Sequence, residues 1–128
     1  MGAGIIAFLG GELKSGIETV LDVANFDEEL CDTQLIFTGE GRIDSQSFDG
    51  KVLSGITARA RRAGAPVVVV AGSVDDSADA AYCTGVYGIF SINSLAVDFA
   101  VSRDKSSENL ERTMEAILVI VHRSMSFS

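Results

Sequence analysis

Five consecutive residues, Val67-Val68-Val69-Val70-Ala71, carry no polar side chain. A strand points alternate side chains to opposite faces, so a strand without polar alternation has to be covered on both. That is the habit of a parallel sheet with helices packed against it. Pro66 opens the run and Gly72-Ser73 closes it. Whatever else this chain contains must supply strand neighbours and helical cover for this one segment.

The rest of the sequence offers them. Residues 16–24 place Ile17, Val20 and Leu21 at helical spacing, and Asp27 to Leu30 reads as a further helical turn. Leu35-Ile36-Phe37 is a short buried strand running into a polar glycine loop, Thr38 to Asp44. Residues 50–63 predict a helix with Val52, Leu53, Ile56 and Ala60 on its core face. Arg59, Arg61 and Arg62 crowd its last turns, where cations suit the helix dipole, and Gly64 is its stop. They read as a dipole-matched surface, with phosphate binding the sharper alternative. Residues 76–83 make a short helix or loop, Val86 to Phe90 a third strand, and residues 94–102 a helix. The last helix spans Ser107 to His122, with a core stripe of Leu110, Met114, Ile117, Leu118 and Val121.

From residue 34 on, the order is a βαβ pattern, for which right-handed crossovers are expected. The expected fold class is therefore α/β, with a mostly parallel sheet. Charge divides the chain at the same place. Residues 1–33 carry seven acids against Lys14 alone, most of the net charge of -8. The acids read as a solvated face, and a domain seam is expected near residues 31–34. An acidic chain is a poor partner for nucleic acid. The longest apolar run, Ala116 to Val121, is far short of a membrane span. No basic segment precedes the apolar residues near the N-terminus, so no cleaved signal peptide and a cytoplasmic location are expected. Cys31 and Cys83 are far apart, without a CxxC, and His122 is the one histidine. Zinc is disfavoured, and both cysteines are expected to be free, buried or half-buried thiols.

The chemistry concentrates in Thr38-Gly39-Glu40-Gly41-Arg42-Ile43-Asp44-Ser45-Gln46, followed by Gly50-Lys51. It sits between a strand and a helix, where open α/β sheets bind ligands. The glycines admit a ligand close to the backbone. Glu40 and Asp44 can hold Mg²⁺ or a hydroxyl. Arg42 can grip a carboxylate or phosphate through two bonds, and Lys51 adds a charge at the next helix's first turn. Ser73 and Asp75 end the central strand on the ligand side. The stretch is neither a Walker A loop nor a complete GxGxxG fingerprint, which argues against a nicotinamide oxidoreductase. The blander reading is a tight turn whose acids are caps and solvated charges.

The run from Leu35 to Ser47, with Gly50-Lys51, resembles the signature of the glycerate kinase family. Gly2 to Leu13 and Gly16 to Asp22 are similar to the family's segment just upstream, and Gly64 to Ser73 to its next strand. After Phe90 the likeness thins: the family tends to a Gly-Pro turn where this chain has Asn93-Ser94. The resemblance implies ATP-dependent, Mg²⁺-assisted phosphorylation of D-glycerate. It supports the site rather than each role within it; the roles expected there are catalytic for Asp44, Glu40 and Arg42, with Asp44 and Glu40 as metal ligands. Thr38, Gly39, Gly41, Gln46, Lys51 and Ser73 would contact substrate or nucleotide. Family chains are much longer, so a C-terminal fragment is expected. Residues 1–33 would end a neighbouring α/β domain. Residues 34–128 would complete a split, three-layer, doubly wound, flavodoxin-like one. The fragment is expected to be inactive alone and to pair with a second copy or with the missing N-terminal portion. The alternative from a different class is a non-catalytic nucleotide- or anion-binding module.

Overall fold

The computed structural model describes residues 16–49, 51–93 and 95–126. The glycine-rich stretch at residues 2–13, Gly50, Ser94 and the side chain of Lys51 lie outside the described residues. Two helices, α1 (Gly16–Val23) and α2 (Phe26–Glu29), and a 3₁₀ turn lead into β1 (Ile36–Ile43). A 3₁₀ turn at Ser45–Ser47 precedes α3 (Lys51–Ala63), then β2 (Val67–Val74). A 3₁₀ segment at Asp76–Thr84 leads to β3 (Val86–Ser91), followed by α4 (Phe99–Asp104) and α5 (Ser106–Ser126).

The sheet has the order β1-β2-β3 with both pairings parallel, so the class is α/β with an open parallel sheet. β2 is central, as its composition demands. Val67 and Val69 are fully buried, and Val68 and Val70, which alternate with them, are nearly so. Burying one such side chain contributes roughly 1.5–3 kcal/mol, which makes β2 the main apolar anchor of the sheet. Both crossovers advance in the same direction, so equal handedness brings them to one face. Leu53 of α3 and Ala78 and Ala81 of the 3₁₀ segment accordingly share one core with Ile43, Val69, Ala71 and Val86.

Several expectations are corrected. β1 does not stop at Phe37. It continues through the glycine segment to Ile43, because the backbone of Thr38 to Ile43 finds partners along β2, from Thr38 opposite Val69 to Ile43 opposite Val74. The helix expected at residues 94–102 is displaced to Phe99–Asp104. The chain first crosses the strand ends, held by Ile92 N–H to Ala71 O (2.9 Å) and Asn93 Nδ2 to Gly72 O (2.6 Å). The buried stripe of α3 is Leu53, Thr57 and Ala60, with the Thr57 hydroxyl donating to Leu53 O, while Val52 faces solvent. On α5 only Ile117 is buried; Leu110 and Leu118 are exposed. Both cysteines are free but exposed. Gly64 does end α3, with a φ of 72° that favours glycine.

Arg59 is the largest correction. It is not a surface cation: its side chain is 5% exposed. Nη2 meets Glu18 Oε2 at 2.6 Å and Asp22 Oδ1 at 2.8 Å, and Nη1 meets Asp27 Oδ2 at 3.3 Å. Its hydrogen bonds to the Glu18 and Asp22 carboxylates, first of all, hold its pKa above the ordinary arginine value. Three acids of the N-terminal segment are therefore not a merely solvated face. They fasten α1 and α2 to α3.

Candidate functional site

The carboxyl ends of β1 and β2 finish in the same way. Each is followed by an aspartate that caps a 3₁₀ turn. Asp44 Oδ1 accepts from the N–H groups of Gln46 (2.9 Å) and Ser47 (3.0 Å) and from the Ser47 hydroxyl (3.1 Å), whose oxygen accepts in turn from the Asp44 N–H (3.0 Å). This is a capping box, and both partners are short polar side chains suited to it. Asp75 Oδ1 accepts the Ser77 N–H (3.0 Å) and the Ser77 hydroxyl (2.8 Å). The two turns are stitched together by Asp75 N–H to Ile43 O (2.8 Å) and Ser45 N–H to Ser77 Oγ (3.0 Å).

Arg42 lies between the two aspartates. Its Nε is 3.6 Å from Asp44 Oδ2 and its Nη2 is 3.4 Å from Asp75 Oδ2. The guanidinium is 65% exposed. Exposed pairs of this kind contribute about 0–1 kcal/mol, so they orient Arg42 more than they stabilise the fold. The Asp75 carboxyl titrates below its ordinary value, chiefly because Ser77 donates to its charged form, with Arg42 adding to the effect.

The predicted site residues are partly brought together. Arg42, Asp44 and Gln46 share the end of β1 with the capping turn. Ser73 lies directly opposite Arg42 in the ladder, and Glu40 opposite Ala71. Glu40, Gly41 and Ser73 line an open groove of about 620 Å³ along the strand ends, together with Leu95, Val97, Phe99 and Arg103. The floor of the groove is bare backbone. A Cβ on Gly72 would come within 2.7 Å of Gly41 O, so only glycine allows this approach of β1 and β2. Thr38 and Gly39 lie further back within β1.

Glu40 makes no hydrogen bond or ion pair among the described residues, while Asp44 is committed to its turn. No group of three or more potential metal ligands is found among them either. Magnesium is commonly held by one or two carboxylates together with substrate phosphates, so one free carboxylate suits it where a complete protein cage would not be needed. Sequence reasoning missed Ser77, Arg103 and the role of Asn93. A signal for the first was present: each of the two strands ends in Asp followed within three residues by Ser, the spacing of a capped turn.

The protein is of the open parallel α/β class, in which ligands bind at the carboxyl edge of the sheet, and its glycines, carboxylates and arginine gather at that edge. Residues 1–122 match the glycerate kinase family, and the chain belongs to that family. It is 39% identical over 120 residues to a glycerate kinase of Bacillus cereus, covering 94% of this chain and 32% of that protein. It is 47% identical over 92 residues to glycerate 2-kinase of Escherichia coli, covering 72% of this chain and 24% of the relative. The crystal structure of a protein assigned as glycerate kinase 2 from Salmonella typhimurium LT2 superposes with a TM-score of 0.70 at 33% identity, over 98% of this chain and 32% of that one. The chain thus spans about a third or less of the length of these relatives.

Proposed function

We propose that this chain supplies one part of the active site of an ATP-dependent glycerate kinase, an enzyme that moves the γ-phosphoryl group of ATP to a hydroxyl of D-glycerate. The observation that carries the reading is the exposed Arg42, held in place by Asp44 and Asp75 beside Glu40, which makes no hydrogen bond or ion pair among the described residues, at the carboxyl edge of a parallel sheet. Family membership supports the choice of substrates.

In this reading the substrate hydroxyl oxygen bonds to the γ-phosphorus as the bond to the bridging oxygen of ADP breaks. Such transfers depend on positioning and charge neutralisation. Arg42 offers a planar pair of donors to the glycerate carboxylate or to the moving phosphoryl group. Glu40 takes the hydroxyl proton or helps hold Mg²⁺, since its carboxylate is free to do so. The ion, when bound, neutralises phosphate charge. Asp44, whose Oδ1 already accepts three hydrogen bonds, serves mainly to aim Arg42 and hold the turn. Gln46, Lys51, Ser73 and the backbone at Thr38, Gly39 and Gly41 complete the polar wall. Residues 1–33 belong to a neighbouring unit, whose helices α1 and α2 are fastened to α3 through Arg59.

A hybrid tests this. The matching segment of the Escherichia coli relative is replaced by this chain, and ADP release is followed with and without D-glycerate. Glycerate-dependent turnover supports the reading. A folded hybrid that hydrolyses ATP regardless of glycerate, or that is inert, counts against it and favours a non-catalytic binding module.

A further inference from the structure

The groove at the strand ends has two unlike walls. One is polar: Glu40 and Ser73, over the bare backbone of Gly41 and Gly72. The other mixes the polar Asn93, Ser102 and Ser106 with three apolar side chains, Leu95, Val97 and Phe99, exposed by 71%, 47% and 78%. Arg103 lines the same groove and has no ion pair among the described residues. The volume of about 620 Å³ is that of a pocket for a ligand of drug-like size, far more than a three-carbon acid occupies. Nor would so small and polar an acid gain from an aromatic and aliphatic wall. A ligand that matches both walls has a flat, weakly polar ring system at one end and an anionic chain at the other.

The crossing that forms this wall is a built feature. Asn93 Nδ2 donates to Gly72 O at 2.6 Å, and Asn109 Nδ2 donates to Asn93 Oδ1 at 3.2 Å. α5 thereby ties the segment after β3 to the groove floor, which fixes where the apolar wall begins.

We infer that this groove is the nucleotide subsite, with Phe99, Val97 and Leu95 receiving the purine base and Arg103 the phosphates. The inference rests on the kinase reading for the choice of nucleotide, but its test does not need turnover. The isotope-labelled 128-residue chain is titrated with MgADP and, separately, with adenosine, and backbone amide shifts are followed. Shifts at Leu95, Val97, Phe99 and Arg103 are expected with both ligands, and at Ser73 with MgADP. Phe99→Ala should weaken both ligands roughly tenfold, the order expected for losing one base-stacking partner. Arg103→Met should weaken MgADP about tenfold and leave adenosine within about twofold, because only the phosphates need the cation. Both side chains are exposed, so neither change threatens the fold. Absence of shifts in this groove overturns the inference. So does equal loss of both ligands in Arg103→Met. MgADP bound elsewhere on the chain would sink this groove and leave the kinase reading intact. Self-association that buries Phe99 and excludes MgADP would assign the wall to a protein partner instead.

Discussion

Asp44 and Asp75 stand at equivalent places, one at the end of each of two neighbouring strands, with Arg42 between them. Their charges make different predictions. The folded-state pKa of Asp75 is depressed, so its contribution to stability is fully present above the ordinary carboxylate value near 3.8. Below that value the unfolded chain takes up the proton first, and the contribution is lost as pH falls through the lower, folded value. Asp75→Asn should therefore lose less stability than the parent chain as the pH falls below about 4. Acid unfolding followed by circular dichroism checks it; superimposable acid curves would contradict it. For Asp44 the expectation is kinetic. Asparagine caps helices as well as aspartate does, so Asp44→Asn should keep the turn. In the hybrid enzyme it should lower kcat/KM about tenfold, or roughly 1.4 kcal/mol of transition-state stabilisation, through a poorly aimed Arg42. Unchanged kinetics would reduce Asp44 to a cap.

At the scale of elements, what was readable depended on how local the cause was. Val67 to Ala71 announced a central parallel strand by composition alone, and Gly64 announced a helix end by its need for positive φ. β1 was under-read. Glycines and charges suggest a loop, but here the ladder to β2 satisfies their backbone, and that partner lies some thirty residues away in sequence. Arg59 failed for the same reason: its acids are 32 to 41 positions distant. Glu40, Arg42 and Asp44 were legible because the motif is contiguous. Arg103 and Phe99 were not, since only the crossing after β3 brings them to the groove. Arg59 also gives a stability test. A surface arginine tolerates replacement within about 0.5 kcal/mol. A buried one with charged hydrogen bonds does not: Arg59→Met should cost roughly 1–3 kcal/mol in urea unfolding. That figure allows for the partial exposure of the acids and for methionine filling the space. A loss below 0.5 kcal/mol would show that α1 and α2 are not fastened through this residue.

For the whole molecule, β1 and β3 are both edges of the three-stranded sheet among the described residues. α5 exposes Leu118, Val119, Ile120 and Met125. Uncovered edges and apolar faces promote association. The isolated chain is expected to run as a dimer or larger species in light scattering, and to show no glycerate kinase turnover by itself. A clean monomer with turnover on the usual enzyme scale of about 1 s⁻¹ or more would contradict both expectations. No helix among the described residues is long and apolar enough to cross a membrane, so these faces are not a membrane span.

The central claim is that the charged end of β1 does chemistry and is not merely a well-capped turn. Glu40 separates the two most cleanly, because its half-buried side chain makes no hydrogen bond or ion pair among the described residues. In the hybrid enzyme, Glu40→Gln should leave the unfolding midpoint unchanged and lower kcat for D-glycerate phosphorylation by roughly 10²- to 10⁴-fold, the usual cost of removing an acid–base group. A hybrid whose kcat stays within about threefold of the parent, far short of that range, would show that the charged strand end takes no part in the transfer.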